Sequence, residues 1–412
     1  MSNKYLFTLL LSLFISLSQA QTPADIQSIK QHITYLASDK LSGRAPGTKG
    51  EKLAQRYIIA AFKKSGLSPM GSKGYLQPFT YHLTKNPHDT IEDKSGKEYN
   101  GSNVIGYLDN GQPYTIVIGA HYDHLGDDGR GSSLDPNPKG KIHHGADDNA
   151  SGVAGVLELA KYYAGNKVRE KFNFLFMCYS AEEAGLIGSK YFTNHPTLSL
   201  DKISCMLNMD MIGRLNDSTK KLLVYGLGTS PTWEPLLNNM HSTLLLKYDS
   251  SGVGPSDQTS FYLKGIPVLH FFTGQHSDYH KPSDLAEKIN YMGEQEVLSF
   301  IASIVDSLEN YPKLTFQKTT NKEAKSTGFK VTLGIMPDYS YDKAGVRVDG
   351  VSDNKPAQKA GIQADDVILE LGDNPIKDIY GYMDALNKFK KGDQTKVKVQ
   401  RGIETKTFNV TF

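Results

Sequence analysis

Thiols are nearly missing from this chain: Cys178 and Cys205 are the two cysteines in 412 residues. That excludes a disulfide framework and a cysteine-based structural zinc site, which needs several clustered thiolates. Each cysteine lies in an apolar, strand-like run, so both read as buried free thiols, able to pair only if those runs lie side by side. Charge of one sign is also lacking. Lys and Arg total 46 against 44 Asp and Glu, a formal net charge of +2, which leaves no footprint for nucleic acid or an anionic membrane. After the N-terminus no apolar run reaches the ~20 residues of a bilayer span. His-Glu-x-x-His, Gly-x-x-x-x-Gly-Lys and Gly-x-Ser-x-Gly are absent, and with them the helix-borne zinc site, the phosphate loop and the serine elbow.

What is present begins with Lys4, an apolar run over 5–17 and the small-residue end Ser18-Gln19-Ala20. This reads as a signal peptide over 1–20, cut after Ala20, and directs the protein to a secreted or periplasmic location. Helical apolar spacing follows at 24–39 and 48–65. The chain then alternates: strands at 103–108 and 114–120, helix 151–164, strand 172–178, helix 184–193 and strand 203–209. Strand 221–226, helices 231–244 and 257–263, strand 267–272 and helix 292–310 complete the series. Such alternation predicts an α/β fold, a mixed, mostly parallel central sheet with helices on both faces, spanning 21–311. Residues 312–326 are polar and aperiodic and read as a linker, and 327–412 form a small β-rich domain.

Five islands carry the chemistry: His121-Tyr-Asp123-His124, Asp147-Asp148-Asn149-Ala-Ser-Gly, Glu182-Glu183, Asp210 and Asp278-Tyr279-His280. In an open α/β sheet, residues at the carboxyl ends of strands converge on one edge. One His or Asp at a strand end is commonly a cap. Five stations offering imidazole and carboxylate are the ligand inventory of a two-zinc hydrolase.

In residues 30–310 these islands, with Tyr35-Leu-Ala-Ser-Asp-Lys-Leu-Ser-Gly-Arg44 and Gly47-Thr-Lys-Gly, resemble the co-catalytic di-zinc peptidases that include bacterial leucyl-type aminopeptidases and glutamate carboxypeptidase. The resemblance implies two Zn2+ ions bridged by Asp148. His121 and Asp210 would complete one, Glu183 and His280 the other. Choosing Asp148 over Asp147 follows the resemblance; spacing alone does not decide it. Asp123 would stand behind His121 and orient its imidazole, and Glu182 would be the general base. Tyr279 matches the tyrosine that stabilises an oxyanion in some members, with ring packing as the alternative. His124, His143 and His144 gain no ligand role and read as loop residues or as residues supporting the ligands from behind, and Arg214 is expected to pair with a local acid. Ser256-Asp257-Gln258 departs from the Ser-Asp-His commoner in the family.

Residues 327–412 resemble a bacterial-type PDZ domain in Leu333-Gly334-Ile335, Pro356-Ala-Gln-Lys-Ala-Gly361-Ile and Ala364-Asp-Asp366-Val-Ile-Leu. This implies a groove that takes an extended strand or a peptide C-terminus; simple packing against the first domain is the alternative. The expected activity is that of an exopeptidase removing N-terminal residues from peptides with a free amine, through a metal-bridging hydroxide. A carboxypeptidase or dipeptidase on the same centre, or a non-catalytic peptide-binding module, are the rivals.

Overall fold

The computed structural model describes residues 22–82, 98–319, 331–337, 341, 343–351 and 355–412. The segment 1–20, expected to be a signal peptide, and residues 320–326 of the expected linker lie outside them. The chain opens with α1 (Ile26–Leu36) and α2 (Lys49–Lys64). Asp25 and Thr48 cap them, their side chains accepting from the Ser28 and Glu51 N–H groups. Strands β1 (Ser68–Pro69), β2 (Leu76–His82), β3 (Glu98–Leu108) and β4 (Thr115–His121) follow, then α3 (Gly152–Gly165), β5 (Asn173–Tyr179) and α4 (Ile187–Asn194). Next come β6 (Ile203–Met209), β7 (Lys221–Tyr225), α5 (Trp233–Asn238), β8 (Leu245–Asp249), α6 (Gln258–Tyr262), β9 (Val268–Phe272) and α7 (Tyr291–Leu308).

The strands form one sheet in the order β1-β3-β5-β4-β6-β9-β7-β8, with β2 paired to β3. Its centre, β5-β4-β6-β9, is parallel. Antiparallel pairings of β3 with β5 and of β7 with β9 make the whole mixed. Ile116, Ile118 and Ala120 of β4 join Phe174 and Phe176 of β5 in the core that α1, α2, α3 and α7 also fill. Val117, Leu175 and Met177 face the other way, toward Phe192 of α4 and Phe261 of α6. Burial on both faces explains why these strands are apolar at most positions, each large side chain contributing about 1.5–3 kcal/mol. Cys178 and Cys205 are free and buried, and β4 lies between their strands.

Two expectations change. The helix expected over 231–244 is confined to Trp233–Asn238, and 245–249, where no element was expected, pair in register with β7 as an edge strand. The linker expected from 312 is docked in its first part. Leu314 is buried, and the N–H groups of Leu314, Gln317 and Thr319 donate to Ser204 Oγ, Thr229 O and Tyr262 Oη. Polar composition concealed those backbone bonds.

The C-terminal unit contains β10 (Ile335–Pro337), β11 (Val346–Val351), α8 (Pro356–Ala360), β12 (Val367–Leu371), β13 (Asn374–Pro375), α9 (Ile379–Leu386), β14 (Gln394–Arg401) and β15 (Glu404–Thr411). Its antiparallel sheet runs β10-β11-β12-β14-β15 over a separate core that includes Leu333, Val348, Ile368, Leu371, Val397 and Val399. Among the described residues no helix is long and apolar enough to cross a membrane.

Candidate metal centre

Three adjacent central strands deliver their next residues to one edge of the sheet. His121 ends β4, Asp210 directly follows β6, and Glu182-Glu183 follow β5 by one short turn. Asp148 lies in the 146–151 turn that leads into α3, and His280 lies beyond β9. The backbone is unusual at three of these approaches: Ala181, Met211 and His280 all have positive φ, at 58°, 54° and 54°. Non-glycine residues hold that region at a cost, and such residues gather at functional sites.

The carboxylate of Asp148 divides its oxygens. Oδ1 lies 3.4 Å from His121 Nε2, and Oδ2 lies 3.3 Å from His280 Nε2. His121 Nε2 is also 3.4 Å from Asp210 Oδ1, and His280 Nε2 is 3.2 Å from Glu183 Oε2. Two pockets therefore share one carboxylate. Asp147, which spacing could not separate from Asp148, is turned away. Its Oδ1 accepts from Ser151 Oγ and the Gly213 N–H, and its Oδ2 lies 3.2 Å from His276 Nε2. Asp284 Oδ2 accepts from the N–H groups of both Asp147 and Asp148, fixing the turn from behind.

Sequence reasoning undervalued His124. It is buried, with Nδ1 2.8 Å from Glu183 Oε1 and 3.8 Å from Asp148 Oδ2. His121, Asp148 and Asp210 form one group able to hold a metal ion, and His124, Asp148 and Glu183 form another. The repeat of histidine three residues after His121 was the available signal. Asp284 and His276 gave none, because their bonds cross more than a hundred residues of chain.

Asp123 stands behind His121. The nearer partner of His121 Nδ1 is the Asp123 main-chain oxygen, at 3.3 Å, while the carboxylate Oδ1 is 3.8 Å away. That carboxylate accepts instead from the Glu182 N–H at 3.0 Å. The chain turns after His121, so the carbonyl meets the ring first. Tyr279 stacks on His280, ring centroids 3.9 Å apart, and packs against Met211, Leu223, Tyr225 and Phe272. Arg214 meets Asp278 at 3.4 Å, as expected. His143 contacts Ser133, and His144 contacts Asp39 and the Pro282 carbonyl. Ser256 Oγ and Gln258 Oε1 accept from Asn208 Nδ2.

Burial and proximity set the charge states. Burial opposes ionisation of Asp148, yet the rings of His124, His121 and His280 outweigh it and hold the carboxyl well below its ordinary range. Burial likewise acts against Glu183, but His280 and His124 bring it to about 2. Glu182 goes the other way: burial first, then the Glu183, Asp257 and Asp210 carboxylates, push it well up against the pull of His121. Burial also raises Asp123 to about 8. Two neighbouring glutamates thus carry opposite tendencies, the arrangement that separates a ligand from a proton carrier.

The fold is an α/β sheet whose strand ends gather two groups of side chains able to hold a metal ion. Residues 103–305 match the model of Peptidase family M28, and 316–412 match that of a PDZ domain. Leupeptin-inactivating enzyme 1 of Streptomyces exfoliatus is 29% identical over 369 residues, covering 83% of this chain and 74% of that protein. An aminopeptidase from Aneurinibacillus sp. strain AM-1 shares the fold at TM-score 0.53 and 20% identity, over 72% of this chain and 95% of its own. Glutaminyl cyclase of Porphyromonas gingivalis does so at 0.54 and 16%, over 70% and 99%. Residues 103–305 belong to Peptidase family M28, and residues 316–412 form a PDZ domain.

Proposed function

We propose that this chain is an exported zinc-dependent aminopeptidase with two Zn2+ ions, one held by His121, Asp148 and Asp210 and the other by Asp148, Glu183 and His280. The division of the Asp148 oxygens carries the reading. Ligands bound at 2.0–2.2 Å in a tetrahedron sit roughly 3.3 Å from one another, and the four distances around the two histidines are 3.2–3.4 Å. The donor set fits. His124, bonded to the other oxygen of Glu183, turns that carboxylate toward His280.

Bound zinc supplies Lewis-acid chemistry, activating water and polarising a peptide carbonyl. Glu182 takes the proton of the attacking water and delivers it to the leaving amine, with the Asp123 bond to its N–H fixing where it stands. Tyr279 donates to the oxyanion. The substrate is a peptide with a free N-terminus, and the PDZ domain receives an extended strand or a peptide C-terminus. Residues 1–20 are removed on export.

The test uses amino-acid p-nitroanilides, N-blocked peptides and a peptide with N-terminal glutamine, each with and without chelator. Chelator-sensitive release that requires the free amine supports the reading. Cleavage of N-blocked peptides from the C-terminus would replace it with a carboxypeptidase. Loss of ammonia from the glutamine peptide without hydrolysis would make the chain a cyclase.

A further inference from the structure

Arg44 is one of the largest fully buried side chains in the molecule. No carboxylate lies within ion-pair distance among the described residues. Its guanidinium donates instead to four main-chain carbonyls: Nε to Tyr122 at 2.8 Å, one terminal nitrogen to Leu36 and His144 at 2.7 Å each, and the other to Gly145 at 2.9 Å. Tyr122 directly follows His121, and Gly145 precedes Asp148 by three residues. The planar fork therefore spans the end of α1 and both segments that carry these ligands.

The local backbone is shaped to place it there. Ser42, Gly43 and Arg44 all have positive φ, at 44°, 68° and 49°. A Cβ on Gly43 would come within 2.5 Å of the His143 oxygen and 2.7 Å of the Gly126 oxygen. Gly126 N–H in turn donates to the Gly43 oxygen. Gly145 is as tight, since a Cβ there would meet the Asp148 oxygen at 2.1 Å. Burial lowers the Arg44 pKa to about 10, with Asp148, Asp123, Asp284 and Glu183 opposing it. The group stays charged at neutral pH, a fixed cation behind a carboxylate cluster.

We propose that Arg44 is a positioning residue for the metal centre: its fork fixes the spacing of the His121 and Asp148 segments, so that the ligand set is assembled before an ion arrives. This rests on the zinc reading above. A lysine would keep the charge but lose the fork. Orienting groups of this kind are typically worth 10–100-fold in metal affinity.

The experiment strips the full chain of metal and measures zinc affinity by competition with a chromogenic chelator, alongside thermal unfolding of the metal-free protein. Wild type must bind zinc, or the underlying reading fails. Arg44→Lys is expected to bind at least tenfold more weakly. Glu158→Gln, which breaks a buried cluster between α1 and α3 that includes none of the proposed ligands, is expected to lower stability while leaving zinc affinity unchanged. Should Arg44→Lys not fold, Gly126→Ala takes its place. It keeps the guanidinium but presses a Cβ to within 2.9 Å of Ala45 Cβ, and is expected to weaken zinc binding severalfold. Zinc affinity in the folded variant equal to that of Glu158→Gln would reduce Arg44 to a purely structural role and overturn the proposal.

Discussion

In the C-terminal unit Asp366 is fully buried against Arg401, whose Nε and second terminal nitrogen reach its two oxygens at 2.6 and 2.7 Å. In the α/β unit Asp123, Asp147, Asp148, Asp257 and Asp284 are buried as well. Among the described residues none has lysine or arginine within ion-pair distance; the cationic partners that appear are histidines. A buried carboxylate locked into a bidentate pair is complete within the chain. A crowd of buried carboxylates and imidazoles is expensive to assemble and suits a cation that comes from outside. The first arrangement serves stability, the second function.

The sharpest test of that contrast is Glu182→Gln. Hydrolysis should fall by about 10²–10⁴-fold while zinc content, measured on the purified protein, stays that of wild type. Concurrent loss of zinc would move Glu182 into the binding set and blur the distinction from Glu183.

Asp366→Asn tests the other side. Losing a charge-assisted pair on the partly exposed Arg401 should destabilise the C-terminal unit by about 1–2 kcal/mol, read from denaturant unfolding of the full chain. Turnover of small p-nitroanilides should not change. A matching loss of turnover would show that the two units do not divide stability from function.

An effect of similar size, but one that depends on pH, belongs to Glu158, in α3. Burial would raise its pKa, but bonds from His32, Ser28 and the Asp25 N–H outweigh this and bring it to about 2. A depressed carboxylate contributes stability that is fully present above its unfolded pKa, near 4.5, and is lost as pH falls through the folded value. Glu158→Gln should therefore cost about 1–2 kcal/mol at pH 7, and the gap from wild type should close between pH 4.5 and 2. A gap that persists at pH 2 would show that the carboxylate charge is not what holds the cluster.

The α/β order, the sheet's parallel centre and the convergence of the five stations were legible because each is local: apolar runs of strand length, and polar residues placed just past them. The choice of Asp148 over Asp147 was open to spacing alone, and the structure distinguishes them by where each carboxylate points. What stayed hidden was contact between distant segments. Asp284 grips the Asp148 turn from 136 residues away, and the docked 314–319 stretch has no apolar period to announce it. His124 was visible as a residue, but its bond to Glu183 depends on a loop path that no periodicity describes.

The four oxygens that receive Arg44 belong to the main chain, which every amino acid supplies. At Leu36, Tyr122 and His144 a substitution changes the side chain and leaves the acceptor itself in place. Gly145 is the exception, held by its φ of 58° and by the closeness of Asp148. The anchor is thus tolerant at its acceptor end and exacting at its donor end. Of Leu36, Tyr122 and His144, the first two are packed into the core, so the half-buried His144 is the acceptor position at which a side chain can be changed with least disturbance to the anchor.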